Sequence, residues 1–221
     1  EKPDEILVIS AHYDHEGIKN GKIYNGADDD GSGSVAVLEI AKAFKQAEKD
    51  GFRPKRSILF LHVTAEELGL LGSRFYTDIQ PVFPLENTVA NLNIDMIGRV
   101  DDLHKDNTNY VYLIGSDRLS LELHQISEET NRKYIQMDLD YTFNTENDPN
   151  RFYYRSDHYN FAKHNVPIIF YFNGVHEDYH KPSDTPDKIN YDLLAQRARL
   201  IFATAWVIAN AEERPKLNES K

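Results

Sequence analysis

Three continuous, mainly apolar runs constrain the fold of this chain more than any other feature of its sequence. They occupy residues 5–12, 56–64 and 166–172. A strand that faces water on one side alternates apolar and polar residues, whereas a strand buried on both faces is apolar nearly throughout. The runs therefore predict buried strands, which belong to sheets that helices cover on both sides.

Segments with helical periodicity separate these runs. Residues 33–48 carry apolar side chains at helical spacing, as do residues 194–208 near the carboxyl end. The remaining predicted elements are strands at 88–98 and 109–115 and helices at 68–76, 118–132 and 156–165. We therefore expect residues 1–221 to form a single α/β domain, a three-layer α/β/α sandwich around a mostly parallel mixed sheet.

Potential metal ligands lie where the predicted strands end. In a mostly parallel sheet the ligand site lies beyond the carboxyl ends of the strands, so these side chains are expected to meet. The candidate set is His12, Asp14, Asp29, Glu66, Glu67, Asp95 and His180. Oxygen and nitrogen donors without sulfur suit zinc, manganese or cobalt, and the pair of imidazoles favours zinc.

Single members of this set have simpler interpretations. The three adjacent acids at 28–30, flanked by glycines, could form a solvated turn that starts a helix, as could the glutamate pair. Asp95 is different, because a carboxylate that closes an apolar strand is costly unless it is paired or coordinated. The ordered set as a whole favours a metal site. The other histidines are expected to be structural or surface residues: His15, His62, His104, His124, His158, His164 and His176.

Six motifs carry a resemblance to a known family. They are SAHYDH, GADDDGSG, TAEELGLLGS, NIDMIGR, RSDHYNF and DYHKPSDT, and they lie in this order along nearly all 221 residues. Together they make the chain similar to the catalytic domain of the co-catalytic zinc exopeptidases, which include bacterial leucyl aminopeptidases and glutamate carboxypeptidase. Ala65 is a departure, since many relatives have glycine before the glutamate pair.

The resemblance implies two zinc ions per chain. Asp29 would bridge the two ions and hold both. His12 and Asp95 would complete one site, and Glu67 and His180 would complete the other.

The resemblance also implies roles for four residues outside that ligand set. Glu66 would be the general base for attack by a metal-bridging hydroxide, and Asp14 would orient the first histidine ligand. Tyr179 would stabilise the oxyanion of the reaction. Arg155 is the candidate for contact with the amine of the substrate.

The activity implied by the resemblance is that of an aminopeptidase, which hydrolyses the N-terminal bond of a peptide with a free N-terminus. A carboxypeptidase or dipeptidase of the same family is an alternative. A single-zinc glutaminyl cyclase, which is a transferase, would need only three of the ligands, so the presence of His12 and Asp95 argues against it. A receptor domain of the same fold that has lost its metals need not keep Glu66 or a complete ligand set.

Composition restricts the partners of the chain. The formal net charge of −11 argues against binding to nucleic acid. No apolar run approaches the ~20 residues of a membrane span, and the absence of cysteine excludes disulfides and thiolate ligands.

Because the chain starts at Glu1 and not at Met, we expect an upstream segment in a longer chain. The resemblance implies an extracytoplasmic location, either secreted, periplasmic or anchored at the surface.

Overall fold

The computed structural model describes residues 1–219, which contain a six-stranded sheet and a two-stranded hairpin. The strands are β1 (Lys2–His12), β2 (Gly17–Lys19), β3 (Lys22–Tyr24), β4 (Arg56–Val63), β5 (Thr88–Ile94), β6 (Tyr110–Ile114), β7 (Asp138–Asp140) and β8 (Ile168–Phe172). The α-helices are α1 (Gly31–Lys49), α2 (Leu71–Arg74), α3 (Leu121–Thr130), α4 (His158–Ala162) and α5 (Tyr191–Asn210). Helices α2 and α3 continue into wider helical turns at Phe75–Ile79 and Asn131–Ile135.

The strands of the sheet lie in the order β4-β1-β5-β8-β6-β7. Strands β4, β1, β5 and β8 are parallel to one another, whereas β6 is antiparallel to β8 and parallel to β7. The predicted mostly parallel mixed sheet is therefore confirmed. The long central strand β1 pairs on both sides, which explains why its sequence is apolar without alternation.

Apolar cores fill both faces of the sheet. Alternate residues of β1 point to opposite faces, so that Leu7 and Ile9 pack in the core formed with α1 and α5. Ile6 and Val8 belong to the second core, which includes Phe161 of α4. All five side chains are almost completely buried. This arrangement confirms the predicted three-layer sandwich.

The carboxyl ends of four parallel strands meet at one edge of the sheet. His12, the last residue of β1, pairs with Val63, the last residue of β4. Just past the end of β5, the backbone N–H of Asp95 donates to the carbonyl of Tyr171 in β8, at 3.2 Å. The loops that follow these strands therefore start beside one another.

Some predicted boundaries differ from those observed. The strand expected at 88–98 ends at Ile94, because Met96 adopts the left-handed backbone region at φ 56° and cannot continue a strand. The hairpin of β2 and β3 and the short edge strand β7 were not predicted. Among the described residues, no helix combines the length and the apolar character needed to cross a membrane.

A buried arginine fixes the last helix to the segment that leaves the site. The side chain of Arg197 in α5 donates to the carbonyls of Ile97, Arg99, Thr108 and Tyr110, at distances between 2.7 and 3.3 Å. Burial lowers the pKa of Arg197 to about 10, which leaves the guanidinium charged at neutral pH. These carbonyls lie at both ends of the connection from β5 to β6. Arg197 therefore holds the backbone that follows β5, the strand after which Asp95 lies.

We expect Arg197→Met to lower the free energy of unfolding by about 3 kcal/mol or more, because it leaves buried carbonyls without a donor. The matched control is Arg199→Met, which changes an exposed arginine of the same helix and should have little effect. Urea denaturation of both variants measures the difference. Equal stability of the two variants would contradict the structural role of Arg197.

Candidate metal centre

The first cluster of candidate ligands lies at the end of β1. The Nε2 atom of His12 lies 3.3 Å from Oδ1 of Asp29 and 3.7 Å from Oδ2 of Asp95. All three residues are buried, and their donor atoms lie within 4.8 Å of one another. The first three predicted ligands are thus brought together.

The second cluster uses the other oxygen of Asp29. Its Oδ2 atom lies 3.0 Å from Nε2 of His180, and the same nitrogen lies 3.1 Å from Oε2 of Glu67. The carboxylate of Asp29 therefore lies between two groups of donors. Burial opposes ionisation of this carboxyl, yet its contacts with His12 and His180 hold its pKa well below the ordinary value.

The neighbours of Asp29 have partners of their own. Asp28 accepts the backbone N–H of Gly98 at 2.6 Å and contacts Nε2 of His176 at 3.1 Å. Asp30 caps helix α1 by accepting the N–H of Gly33 at 2.9 Å. The three adjacent acids thus point to different partners, and Asp29 alone of them faces both groups of donors.

Asp14 connects the loops that follow β1 and β4. Its carboxylate accepts the backbone N–H groups of Glu66 and Glu67 at 3.1 and 3.3 Å. The side-chain Oδ1 of Asp14 lies 3.6 Å from Nδ1 of His12, whereas the backbone carbonyl oxygen of Asp14 lies 3.1 Å from the same nitrogen. The carbonyl is therefore the closer acceptor for the ring. Ala65 before the pair has φ 57°, a left-handed value that favours glycine.

Glu66 lies beside the clusters and lines a pocket that also contains Asp29, Asp95 and Arg155. Burial and the nearby charge of Asp95 raise the pKa of Glu66 to about 9. This carboxylate therefore holds a proton more strongly than an exposed glutamate would.

Tyr179 and Arg155 lie at the wall of the same pocket. The ring of Tyr179 stacks on His180 with 3.9 Å between the centroids, and its hydroxyl accepts from Nη2 of Arg155 at 3.3 Å. Burial raises the pKa of Tyr179, so the hydroxyl stays protonated and can donate.

Several residues that contact the candidate ligands were not predicted from the sequence. Ser156 donates to Oδ2 of Asp95 at 2.7 Å, and Oε1 of Glu16 lies 3.6 Å from Nδ1 of His180. His15, expected to be structural, lies with Nδ1 only 2.8 Å from Oε1 of Glu67. Their sequence signal was proximity, since residues 15 and 16 directly follow the first ligand motif and Ser156 lies in the motif RSDHYNF.

The chemistry of these donors fits divalent metal ions. Buried Nε2 of His12 and Oε1 of Glu67 have no hydrogen-bond partner among residues 1–219, although each lies near other polar atoms. Buried polar atoms normally have partners, so atoms that converge without hydrogen bonds are suited to coordination. Imidazole nitrogens and carboxylate oxygens are the ligands of zinc sites.

Comparisons with known proteins identify the family to which the chain is similar. Peptidase family M28 matches residues 1–205. Aminopeptidase YwaD of Bacillus subtilis (strain 168) is 28% identical over 231 residues, which cover 97% of this chain and 44% of that protein. A probable glutamate carboxypeptidase of Arthroderma benhamiae is 34% identical over 134 residues, which cover 60% of this chain and 16% of that protein.

The fold of the chain is also similar to that of a solved structure. BSAP, a zinc aminopeptidase from Bacillus subtilis, aligns with a TM-score of 0.76 and 25% identity over 99% of this chain and 52% of that chain. The chain spans about half of that structure and less than half of YwaD. The match to peptidase family M28 nonetheless covers residues 1–205, which is most of the chain. The chain therefore belongs to peptidase family M28.

Proposed function

We propose that the protein is a zinc-dependent exopeptidase, specifically an aminopeptidase, with two zinc ions per chain. The observation that carries this proposal is the position of Asp29, whose two oxygens face separate groups of donors. The similarity of the chain to aminopeptidase YwaD and to the zinc aminopeptidase BSAP supports the same activity. The expected extracytoplasmic location stays a prediction.

Two sets of donors would hold the ions. His12 and Asp95 would bind the first ion, Glu67 and His180 the second, and Asp29 both. When bound, zinc ions lower the pKa of water toward neutrality and polarise a carbonyl group. Three carboxylates from this set nearly balance the charge of two divalent cations, so burial of the donors is compensated.

Glu66 would act as the general base. It lines the pocket with Asp29 and Asp95, so its carboxylate would lie beside the ions and could take a proton from water there. It would then return that proton to the leaving amine. Asp14 would position Glu66 through the backbone hydrogen bond described above.

Tyr179 would stabilise the oxyanion, because its protonated hydroxyl faces the pocket beside His180. The remainder of the pocket is partly apolar, with Met96, Phe152 and Phe172 in its wall. Apolar walls exclude water and strengthen the hydrogen bond from the tyrosine to the developing charge.

Selection of the amino end follows from the charges around the pocket. Asp29, Glu66 and Asp95 line it, and carboxylate oxygens that the zinc ions leave free would attract the ammonium of a peptide N-terminus, while its neutral form would bind zinc as an extra ligand. A carboxypeptidase would need a basic cluster to bind the opposite end of the peptide. The basic candidates are Arg99, Arg151, Arg155 and Lys181. Of these four, only Arg155 lines the pocket, and Arg99 pairs with acids outside it.

The paired glutamates allow a sharp test of the base and ligand roles. We expect Glu66→Gln to retain two zinc ions per chain and to lose activity by a factor of ~100 to 10,000, because the amide cannot accept a proton. Glu67→Gln should instead lose zinc, because it removes a carboxylate ligand. Elemental analysis and turnover of both variants are the measurements. The opposite pattern would exchange the two roles.

N-acetylation tests the direction of substrate binding. A leucyl or alanyl anilide should be hydrolysed, whereas its N-acetyl form should be cut at least about a hundredfold more slowly, since it lacks the amine that fixes the scissile bond. The comparison uses the zinc-loaded enzyme and equal substrate concentrations. Equal rates on the two substrates would reject an aminopeptidase and leave the metal chemistry intact.

A further inference from the structure

Asp184 connects the loop that contains His180 to the turn that contains Asp29. Its carboxylate accepts the backbone N–H of Asp28 at 3.0 and 3.1 Å and that of Asp29 at 3.2 Å. The residue is completely buried. A buried N–H group without a partner is costly, so a carboxylate that accepts two of them stabilises the turn. Asp184 therefore helps to fix the backbone of the proposed bridging ligand.

Two further hydrogen bonds join the same turn and loop. The N–H of Ala27 donates to the backbone carbonyl of Asp184 at 3.3 Å. The side-chain Nδ2 of Asn25 donates to the carbonyl of Pro182 at 2.7 Å. The turn and the loop are thus attached to each other by side-chain and backbone contacts, and Asp184 takes part in most of them.

The position of His180 depends on this attachment. The N–H of Asp184 donates to the carbonyl of Lys181 at 3.1 Å, so a tight turn connects Asp184 to the residue that follows His180. The side chain of His180 is 35% exposed, so burial restricts its ring only in part. Its Nε2 atom nevertheless lies 3.0 Å from Oδ2 of Asp29 and 3.1 Å from Oε2 of Glu67. The loop must therefore be held in place for these donors to converge.

The first group of donors has its own attachment. His12 is the last residue of β1, and Asp95 directly follows β5. The turn that contains the bridging carboxylate is tied to them by Asp30, whose Oδ1 accepts the N–H of Met96 at 3.2 Å. Loss of Asp184 would therefore loosen the second group of donors more than the first.

We propose that Asp184 is a positioning residue for the second zinc ion, which holds the loop of His180 against the turn of Asp29. This inference rests on the proposed metal centre and leaves its five ligands unchanged. Asp184 acts through these two ligands and does not itself bind the ion. Removal of groups that orient metal ligands typically lowers metal affinity by about 10- to 100-fold.

The zinc affinities of the two sites test this role. In competition with a chelator, Asp184→Asn in the full chain should weaken one ion by at least about tenfold and the other by less than about threefold, because the amide nitrogen cannot accept an N–H. The matched control is Asp187→Asn, which changes an exposed acid of the same segment and should leave both affinities unchanged. No change in Asp184→Asn, or equal weakening of both ions, would overturn the proposal.

Nitrogen NMR of the chain labelled with ¹⁵N-histidine identifies the affected ion. In the wild-type protein, zinc should shift one ring nitrogen of His12 and one of His180. In Asp184→Asn the shift of His180 should require more zinc, by the same factor as the loss of affinity, whereas His12 should respond as in the wild type. A delayed shift of His12 with an unchanged His180 would contradict the assignment to the second ion.

Asn25→Ala is a second variant, at an exposed position where loss of the fold is not expected. It removes one hydrogen bond between the turn and the loop, so it should weaken the same ion by a smaller factor. If Asp184→Asn does not fold, an unchanged zinc affinity of Asn25→Ala overturns the proposal, and a weakened second ion supports it. A wild-type protein that binds no zinc would instead reject the metal centre itself.

Discussion

The rest of the site depends on one buried carboxylate, that of Asp29, which lies between two imidazoles that are far apart in the sequence. Its two oxygens lie 3.3 Å from His12 and 3.0 Å from His180. Such a group is stable in the interior only when positive charge or hydrogen-bond donors surround it. The acids on either side cannot take this place, because Asp28 and Asp30 are already engaged with backbone N–H groups.

The fold delivers these donors to one place through strand direction. β1, β4, β5 and β8 are parallel, so their following loops leave the same edge of the sheet and bring distant parts of the sequence together. Asp14 then ties the loop after β1 to the loop after β4 through two backbone N–H groups. The position of Glu66, the proposed base, therefore depends on the loop that follows β1.

Sequence alone predicted the parts of this architecture that have a strong local signal. The apolar runs identified β1, β4 and β8, and the position of polar residues after strands indicated where the ligands would meet. The reversed direction of β6 and the early end of β5 could not be predicted, since they depend on tertiary pairing and on the backbone of Met96. The contact of His15 with Glu67 could not be predicted either, since a histidine next to a ligand motif carries no periodic signal.

The central claim is that Asp29 is shared between two zinc ions, and anomalous diffraction tests it most directly. Crystals of the zinc-loaded protein, measured on both sides of the zinc absorption edge, show the metal positions without reference to activity. The account predicts two zinc peaks per chain, one near each oxygen of Asp29, with His12 beside one and His180 beside the other. A single peak, or two peaks of which only one contacts Asp29, would contradict it.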